Sequence, residues 1–472
     1  MVLTAATLVA LTLYVSLGVV GVQLLRKRNG WRLVGGILVV EAVLLLAAQI
    51  ALSTVPFGIG EPLIRVPLRA LLTQALLSLA AIGGAAAAVY VGRHWLGQAL
   101  PRARGRRAAA GLLLALPVVS ALGMYGMMRI SLPPRERERD PLKRQITLNS
   151  GFESTVFVQG TMDNPTTITF APDGTLYIGD ISGAIWAAAD GDQNGQAESM
   201  KGWADGFRLL VGLAWRDDEL YAASSGKIEA LRDSNGDGQA DQRRLVVDGL
   251  PSMVLMPHSN NGLAFGPDGR LYFGVGSTTD GQVEREEHAA AILSINPDGS
   301  DLQVFARGLG NSFDVAFSAS GDLFAGDNSP SGGVAGEDYP DEFNHIVEGE
   351  HYGFPYFFGD PPDNGGTRGA LANFPPHSAP TGVTFYNGAT FPVNYRDSAF
   401  IALWARGEVA HVEVAETSGG EFLSRTSTFG SGFLYPIDVL TGPDGNLYVA
   451  DFGTSAVYRI TYNANKDLGQ RN

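Results

Sequence analysis

The sequence predicts an all-β six-bladed β-propeller preceded by four transmembrane α-helices. Three observations carry that expectation. A hairpin motif returns six times in the C-terminal two-thirds, four apolar runs fill the N-terminal third, and the charge balance reverses between them. Residues 1–130 hold 12 Lys/Arg against two acids, Glu41 and Glu61. Residues 145–472 hold 17 Lys/Arg against 43 Asp/Glu. Such asymmetry separates a membrane part from an acidic soluble part. The acidic half excludes nucleic acid as a partner, which would require a basic surface. With no cysteine in the chain, disulfides and thiolate metal sites are excluded too.

The apolar runs cover 2–25, 33–53, 70–92 and 108–128. Each approaches the roughly 20 residues that a helix needs to cross a bilayer. Arg26, Lys27, Arg28 and Arg32 lie between the first two, and five arginines from Arg93 to Arg107 lie between the last two. Positive loops stay in the cytoplasm, so both ends of this region face outward. The expected division is a four-helix membrane domain over 1–130 and a charged linker over 131–150. A propeller follows over 151–465, with a tail over 466–472. The bilayer is then a partner, and the propeller lies on the extracytoplasmic, periplasmic or extracellular side. Glu41 is the one ionisable residue well inside a run, so the helices read as an anchor.

The propeller rests on the motif. ITFAPDGTLYIGD from Ile168, LAFGPDGRLYFGVGS from Leu263 and VLTGPDGNLYVAD from Val439 are near-copies. LAWRDDELYAAS from Leu213, VAFSASGDLFAGD from Val315 and a degenerate copy from Val383 complete the set. Asp-Gly between alternating apolar runs is a hairpin signal, and about 50 residues per copy matches a four-stranded blade. The strand near Thr155–Gln159 is expected to complete the last blade beside AVYRITY from Ala456.

A finer register locates a mouth. GAIWAAADGDQNGQAE from Gly183 repeats as GKIEALRDSNGDGQAD from Gly226, 43 residues on, yet GLAW at 212 returns as GLAF at 262, 50 residues on. Seven residues have entered the connection that carries PHSNN, with His258 and Asn261. The strand that opens each repeat is expected to be the innermost. The segments before these strands, 164–166, 207–211, 310–313, 378–381 and 434–436, should therefore ring the channel mouth together with His258.

Two loops have the chemistry of calcium sites. Asp190, Asp192, Asn194 and Glu198 follow an alternating D-x-D-x-N-G spacing, and Asp233, Asn235, Asp237 and Asp241 repeat it. Calcium takes six to eight hard oxygens, which alternating acids around a glycine turn supply. An ordinary hairpin turn satisfies the same spacing without metal.

The stretches GLGNSFDVAFSASGDLFAGDNSP, DEFNHIVEGEHYGFP, HSAPTGVTFY and DVLTGPDGNLYVADFGTSAVYRI resemble the glucose/sorbosone dehydrogenase family over about 155–463. That resemblance implies a six-bladed propeller that uses pyrroloquinoline quinone (PQQ) and calcium to oxidise a small-molecule sugar. It implies that His258 is the general base, a task suited to an imidazole that titrates near 6.5. It implies that the carbonyls of Ser329 and Pro330 hold calcium, and that Asp341 and Glu342 hold a second ion. Asn311 and Asn261, with His377 and Arg406, are the implied cofactor contacts. One position departs from the family: GLGN stands where Gly-Leu-Arg-Asn is usual, so Gly310 replaces an arginine that pairs with cofactor carboxylates. Arg406, His377 and Arg307 are the cations left to compensate.

The expected activity is that of a membrane-anchored, exported PQQ-dependent sugar or sugar-aldehyde dehydrogenase, its electrons leaving to a membrane quinone or a soluble carrier. Two rival readings stand beside it. One is a non-catalytic calcium-stabilised propeller that binds surface ligands. The other is a lactonase-like metal hydrolase, which would need inward carboxylates at several of the mouth segments. His288, His345, His351 and His411 read as loop or surface residues.

Overall fold

Each Pro-Asp-Gly stretch folds into the same tight turn, and the cause is local. The aspartate side chain accepts the amide two residues on: Asp173 from Thr175 at 2.9 Å, Asp268 from Arg270 at 3.0 Å and Asp444 from Asn446 at 3.0 Å. Gly174 takes a φ of 88°, a left-handed conformation open to glycine. The flanking strands then pair with Phe170 opposite Leu176, Phe265 opposite Leu271 and Thr441 opposite Leu447.

The structure is a computed structural model that describes residues 139–252, 259–279, 281–330, 338–362 and 366–466. The chain divides into two compact units, 1–136 and 137–472, and the described residues all belong to the second. The four apolar runs therefore lie outside the described residues. Among those that are described, no helix is long and apolar enough to cross a membrane.

Six antiparallel sheets form the blades, five with four strands and one with five. Their first strands are Pro165–Phe170, Gly212–Arg216, Asn260–Phe265, Ser312–Phe317, Pro380–Phe385 and Pro436–Thr441. These touch one another in a closed cycle, so they line the channel as the repeat register predicts. The second strands are buried, Leu176–Asp180 and Leu447–Asp451 along their whole length. They sit between neighbouring blades and read as continuous apolar runs for that reason.

Two carboxylates join the inner strands across blades. Asp314 accepts the amide of Val383 at 2.9 Å, and Asp438 accepts that of Ile168 at 2.7 Å. Glycines make the room: a Cβ on Gly262 would lie 2.0 Å from Asp314 Oδ1, and one on Gly382 would lie 2.4 Å from the Asp438 backbone. Burial pushes both carboxyls up, Asp438 to about 7 and Asp314 well above its ordinary range, where repulsion from Asp438 adds to burial.

The ring closes through its ends. Phe152–Gln159 pairs antiparallel with Ala456–Tyr462 and supplies the outer strand of the last blade, as expected from the sequence. Just before it, Thr147–Leu148 adds a fifth strand to the fifth blade against Gly430 and Ser431. Phe152 anchors this join with its ring 4.7–5.1 Å from those of Phe391, Phe429, Tyr462 and Tyr395. One expectation fails here. His411 is no surface residue but is buried in the fifth blade, its ring 4.8 Å from Tyr395 and 5.2 Å from Phe400.

Truncating Phe152 removes the aromatic group at the seam and leaves a cavity that rigid strands cannot fill. Phe152→Ala is expected to lower stability by about 3–5 kcal/mol, read as a shift in the denaturant midpoint. An unchanged midpoint would mean that the seam does not hold the ring.

Candidate functional site

The mouth is assembled by carboxylates at the ends of second strands. Asp327 accepts the amides of Gly310 and Asn311, both at 2.8 Å, and the Ser312 hydroxyl at 3.2 Å. Asp451 accepts the amides of Leu434 at 2.7 Å and Tyr435 at 3.0 Å. Asp180 accepts the Asp163 amide at 3.0 Å and the Trp186 indole N–H at 2.7 Å. In each case the acid pins the segment that leads into an inner strand of its own blade. The sequence does carry a signal for these acids, which LYIGD, LFAGD and LYVAD repeat in register. Burial pushes the Asp327 carboxyl up to about 8, with repulsion from Glu342 on the facing strand adding to it.

Asn261 and Asn311 meet across the third and fourth blades. The Asn261 amide nitrogen donates to Asn311 Oδ1 at 3.0 Å and to the Ser312 carbonyl at 2.9 Å. Its own Oδ1 is buried and has no partner among the described residues. An orphaned buried acceptor costs about 1–3 kcal/mol, a cost that a ligand donor would relieve. Asn328 extends the tie, donating to the carbonyls of Asn311 at 3.1 Å and Pro380 at 2.9 Å.

Gly310 is filled in, not vacated. A Cβ there would lie 2.6 Å from the Asn328 carbonyl oxygen and 3.4 Å from the Phe354 ring. Backbone therefore occupies the space through which an arginine stem would leave.

The fourth blade gathers buried acids next to this wall. Asp341 accepts the amides of Ser329 and Ala379, each at 2.9 Å. Burial outweighs these bonds and pushes its carboxyl up to about 6. Glu342 accepts the Gly359 amide at 2.5 Å and the Asn344 side chain at 3.0 Å, and burial takes it up to about 7. Consecutive strand residues point to opposite faces, and the partners of these two acids are correspondingly different. Asp341 thus shares its surroundings with Ser329, while Glu342 does not. Pro330 is buried and packs close to Gly281 of the third blade, where a Cβ would lie only 3.3 Å from its ring.

The proposed cations are already engaged. His377 Nε2 lies 3.1 Å from Asp338 Oδ1. His377 and Ala379 have φ of 59° and 53°, so the backbone around buried Ser378 is strained. Arg406 makes a two-pronged contact with Glu408 at 3.1 and 3.2 Å, and Arg307 donates to the Glu287 carbonyl at 2.8 Å. Arg208, in the segment before the second inner strand, is exposed and makes no ion pair among the described residues. His258 lies outside the described residues.

The calcium-like loops are elsewhere. They join third to fourth strands and so sit on the face opposite the mouth. Carboxylate oxygens of Asp190, Asp192 and Glu198 fall within 4.8 Å of one another, the one such group among the described residues. The Asn194 amide donates to both Asp190 and Asp192 at 3.0 Å. In the second loop Asp233 turns to the amides of Gly236 and Gly238, Asp237 accepts from Asn235 at 3.2 Å, and Asp241 turns to Ser234. Its acids do not converge. Both loops dock on the preceding blade, through Ala197 N–H to the Phe157 carbonyl at 2.8 Å and Ala240 N–H to the Trp203 carbonyl at 2.9 Å.

The chain is similar to several known proteins. It is 28% identical over 350 residues to an uncharacterised protein of Borreliella burgdorferi, covering 66% of this chain and 90% of that one. The holo form of the pyranose dehydrogenase PQQ domain from Coprinopsis cinerea superposes with a TM-score of 0.58 at 18% identity, over 68% of this chain and 98% of that one. The PQQ-bound aldose sugar dehydrogenase from Streptomyces coelicolor gives 0.53 at 19% identity, over 68% and 99%. At such identities the likeness is one of fold, and the fold is the six-bladed propeller. Residues 179–461 match the model of a domain of unknown function, DUF7133, and the chain belongs to that family.

Proposed function

We propose that the chain is an oxidoreductase that oxidises a sugar or sugar-derived aldehyde at the channel mouth with PQQ and calcium. We further propose that residues 1–130 anchor it in a membrane with the propeller on the extracytoplasmic side. The observation that carries the enzymatic reading is the Asn261–Asn311 pair. It offers a buried acceptor, without a partner among the described residues, at the mouth of a propeller fold shared with PQQ-bound proteins.

The residues present fit a polar ligand there. Asn261 and Asn311 would hold the cofactor's polar edge, and Arg208 would face its carboxylates from the rim, joined by Arg406 and His377 only if they left Glu408 and Asp338. The carbonyls of Ser329 and Pro330, with Asp341 beside them, would hold calcium. When bound, PQQ supplies a two-electron acceptor, and calcium supplies a Lewis acid that polarises it. His258 would take the substrate's hydroxyl proton, the general-base role that an imidazole can fill. Asp327 holds the Gly310–Ser312 segment still, so Asn311 keeps one orientation toward whatever binds. Electrons would leave to a membrane quinone or a soluble carrier.

A second reading is favoured by Gly310. With backbone in place of the arginine clamp, the propeller would be a non-catalytic, calcium-stabilised binder of surface ligands. Asp190, Asp192 and Glu198 would then be the calcium site that matters, a structural one at the seam with the last blade.

Absorbance titration of the calcium-loaded protein with PQQ, followed by dye reduction across an aldose panel, separates the two. About one PQQ per chain and sugar-dependent reduction are expected. Asn311→Ala should weaken PQQ binding by about tenfold, the loss of one ligand hydrogen bond with its buried partner exposed. A folded, calcium-loaded protein that takes up no PQQ would leave the second reading standing.

Calcium has its own test. In the metal-free fold Asp327, Glu342 and Asp341 keep their protons to about 8, 7 and 6, whereas unfolded carboxyls ionise near 4. The folded state binds more protons across this window, so its stability is full below about pH 4 and declines as pH rises through 6 to 8. The denaturant midpoint in chelator should therefore fall between pH 5 and pH 8. Calcium, which binds the ionised form, should shrink that fall, and Asp341→Asn should remove the calcium effect at the mouth. A midpoint independent of pH in chelator would contradict the account.

The outer loop is tested separately with Asp192→Asn and Glu198→Gln together. Their loss should abolish any calcium-dependent rise in melting temperature that survives Asp341→Asn. A rise that persists in the combined variant would exclude the loop as a calcium site.

A further inference from the structure

Two connections at the mouth are far longer than their counterparts. The second and third strands of the first, second, fifth and sixth blades are joined by 181–184, 225–226, 404–407 and 452–455. In the third and fourth blades 276–290 and 328–340 join them. The third blade's connection has no strand or helix among its described residues, so it needs something other than a ladder to hold it. A single carboxylate does so. Glu284 accepts the Thr278 amide at 2.7 Å and its hydroxyl at 2.8 Å, the Ser277 hydroxyl at 3.1 Å, and the amides of Arg285 at 2.8 Å and Glu286 at 3.1 Å. Burial pushes the Glu284 carboxyl up, but the amides of Glu286 and Thr278 outweigh it and hold the group below its ordinary range. It is therefore ionised at neutral pH.

The clamped loop is fastened to the mouth at two points. The Ser277 amide donates to the Gly310 carbonyl at 2.8 Å. Gly310 is thus held through its carbonyl by the third blade and through its amide by Asp327 of the fourth. Further along, Gly281 packs against Pro330, and a Cβ on it would lie 3.3 Å from the proline Cβ. Its φ of 105° is one that residues with side chains rarely adopt. Thr279 closes the turn between these points, its hydroxyl donating to the Gln282 carbonyl at 2.7 Å and accepting the Gln282 amide at 3.2 Å. The loop therefore reaches from the segment that carries Asn311 to Pro330 beside Ser329.

We propose that Glu284 is a positioning residue of the mouth, its carboxylate fixing loop 277–286 so that Gly310 and Pro330 each keep one place. Hydrogen bonds to an ionised acceptor are roughly twice as strong as neutral ones, so one charged group can order a loop that has no ladder. Replacing that carboxylate by an amide would set an N–H donor among the donors it now satisfies. Glu286 is exposed and enters the clamp through its amide. Loosening of the loop would pass to Asn311 through Gly310, and to the carbonyls proposed for calcium through Pro330. That Asn311 and Pro330 serve a cofactor and calcium rests on the oxidoreductase reading, whereas the clamp itself does not.

Hydrogen exchange of the full chain under native conditions, read beside calcium and PQQ affinity, tests this role. In Glu284→Gln the amides of Thr278, Arg285 and Glu286 should exchange at least about tenfold faster, and those of Ser277 and residues 310–312 several-fold faster. Calcium and PQQ affinity should each fall several-fold. Glu284→Asp, which keeps the charge, should recover part of every loss. Glu286→Gln, which alters an exposed neighbour, should cause none. If Glu284→Gln does not fold, Thr278→Val, which removes one hydroxyl donor, should show the same changes in smaller degree. Unchanged exchange at Ser277 and residues 310–312 would overturn the proposal, whatever the protein binds. So would faster exchange there with calcium and PQQ affinity unchanged. A wild-type protein that binds neither would refute the oxidoreductase reading, and exchange at residues 310–312 would still decide the clamp.

Discussion

Closure of the ring is the constraint on which the rest of the structure depends. The six inner strands form a cycle only because Phe152–Gln159, from the start of the propeller, pairs with Ala456–Tyr462 at its end. Without that pairing the last blade would have three strands instead of four. Closure also creates the channel, whose mouth exists only when all six inner strands begin on the same face. Asp314 and Asp438 reinforce the cycle from inside, each accepting an amide from the next inner strand. Both reach across because Gly262 and Gly382 lack side chains.

Once the ring is closed, rigidity at the mouth comes from buried acids. Asp180, Asp327 and Asp451 hold the leading segments of the inner strands by their amides, and Asp341 holds the fourth blade's loop against the fifth blade's. Burying these carboxylates carries a cost, which appears as upward shifts at Asp327, Asp341 and Glu342. Such a set of buried carboxylates is chemically suited to a divalent ion. It also explains how a mouth without the arginine at Gly310 can still be polar: amides and carboxylates supply the hydrogen bonding.

The blades were legible in the sequence because their signals are local. An Asp-Gly turn imposes its own geometry through the side-chain bond from Asp173 to Thr175, whatever surrounds it. The inner-strand register was legible for the same reason, since each copy repeats it. What sequence could not show were contacts set by the ring. Nothing in GLGN reveals that the Asn328 carbonyl and Phe354 fill the arginine's place. Nothing local reveals that His411 is buried, because its neighbours Tyr395 and Phe400 arrive from a connection and a facing strand. Asp341 and Glu342 look alike as neighbours in DEFN, yet strand geometry sends them to different partners.

The central claim is that the mouth around Asn261 and Asn311 seats an oxidising cofactor. A crystal structure of the protein grown with PQQ and calcium tests it most directly. The account predicts density for PQQ at the mouth, a donor or ion within hydrogen-bonding distance of Asn261 Oδ1, and calcium beside Ser329 and Asp341. An empty mouth in a crystal saturated with both, or PQQ seated away from Asn261 and Asn311, would contradict it.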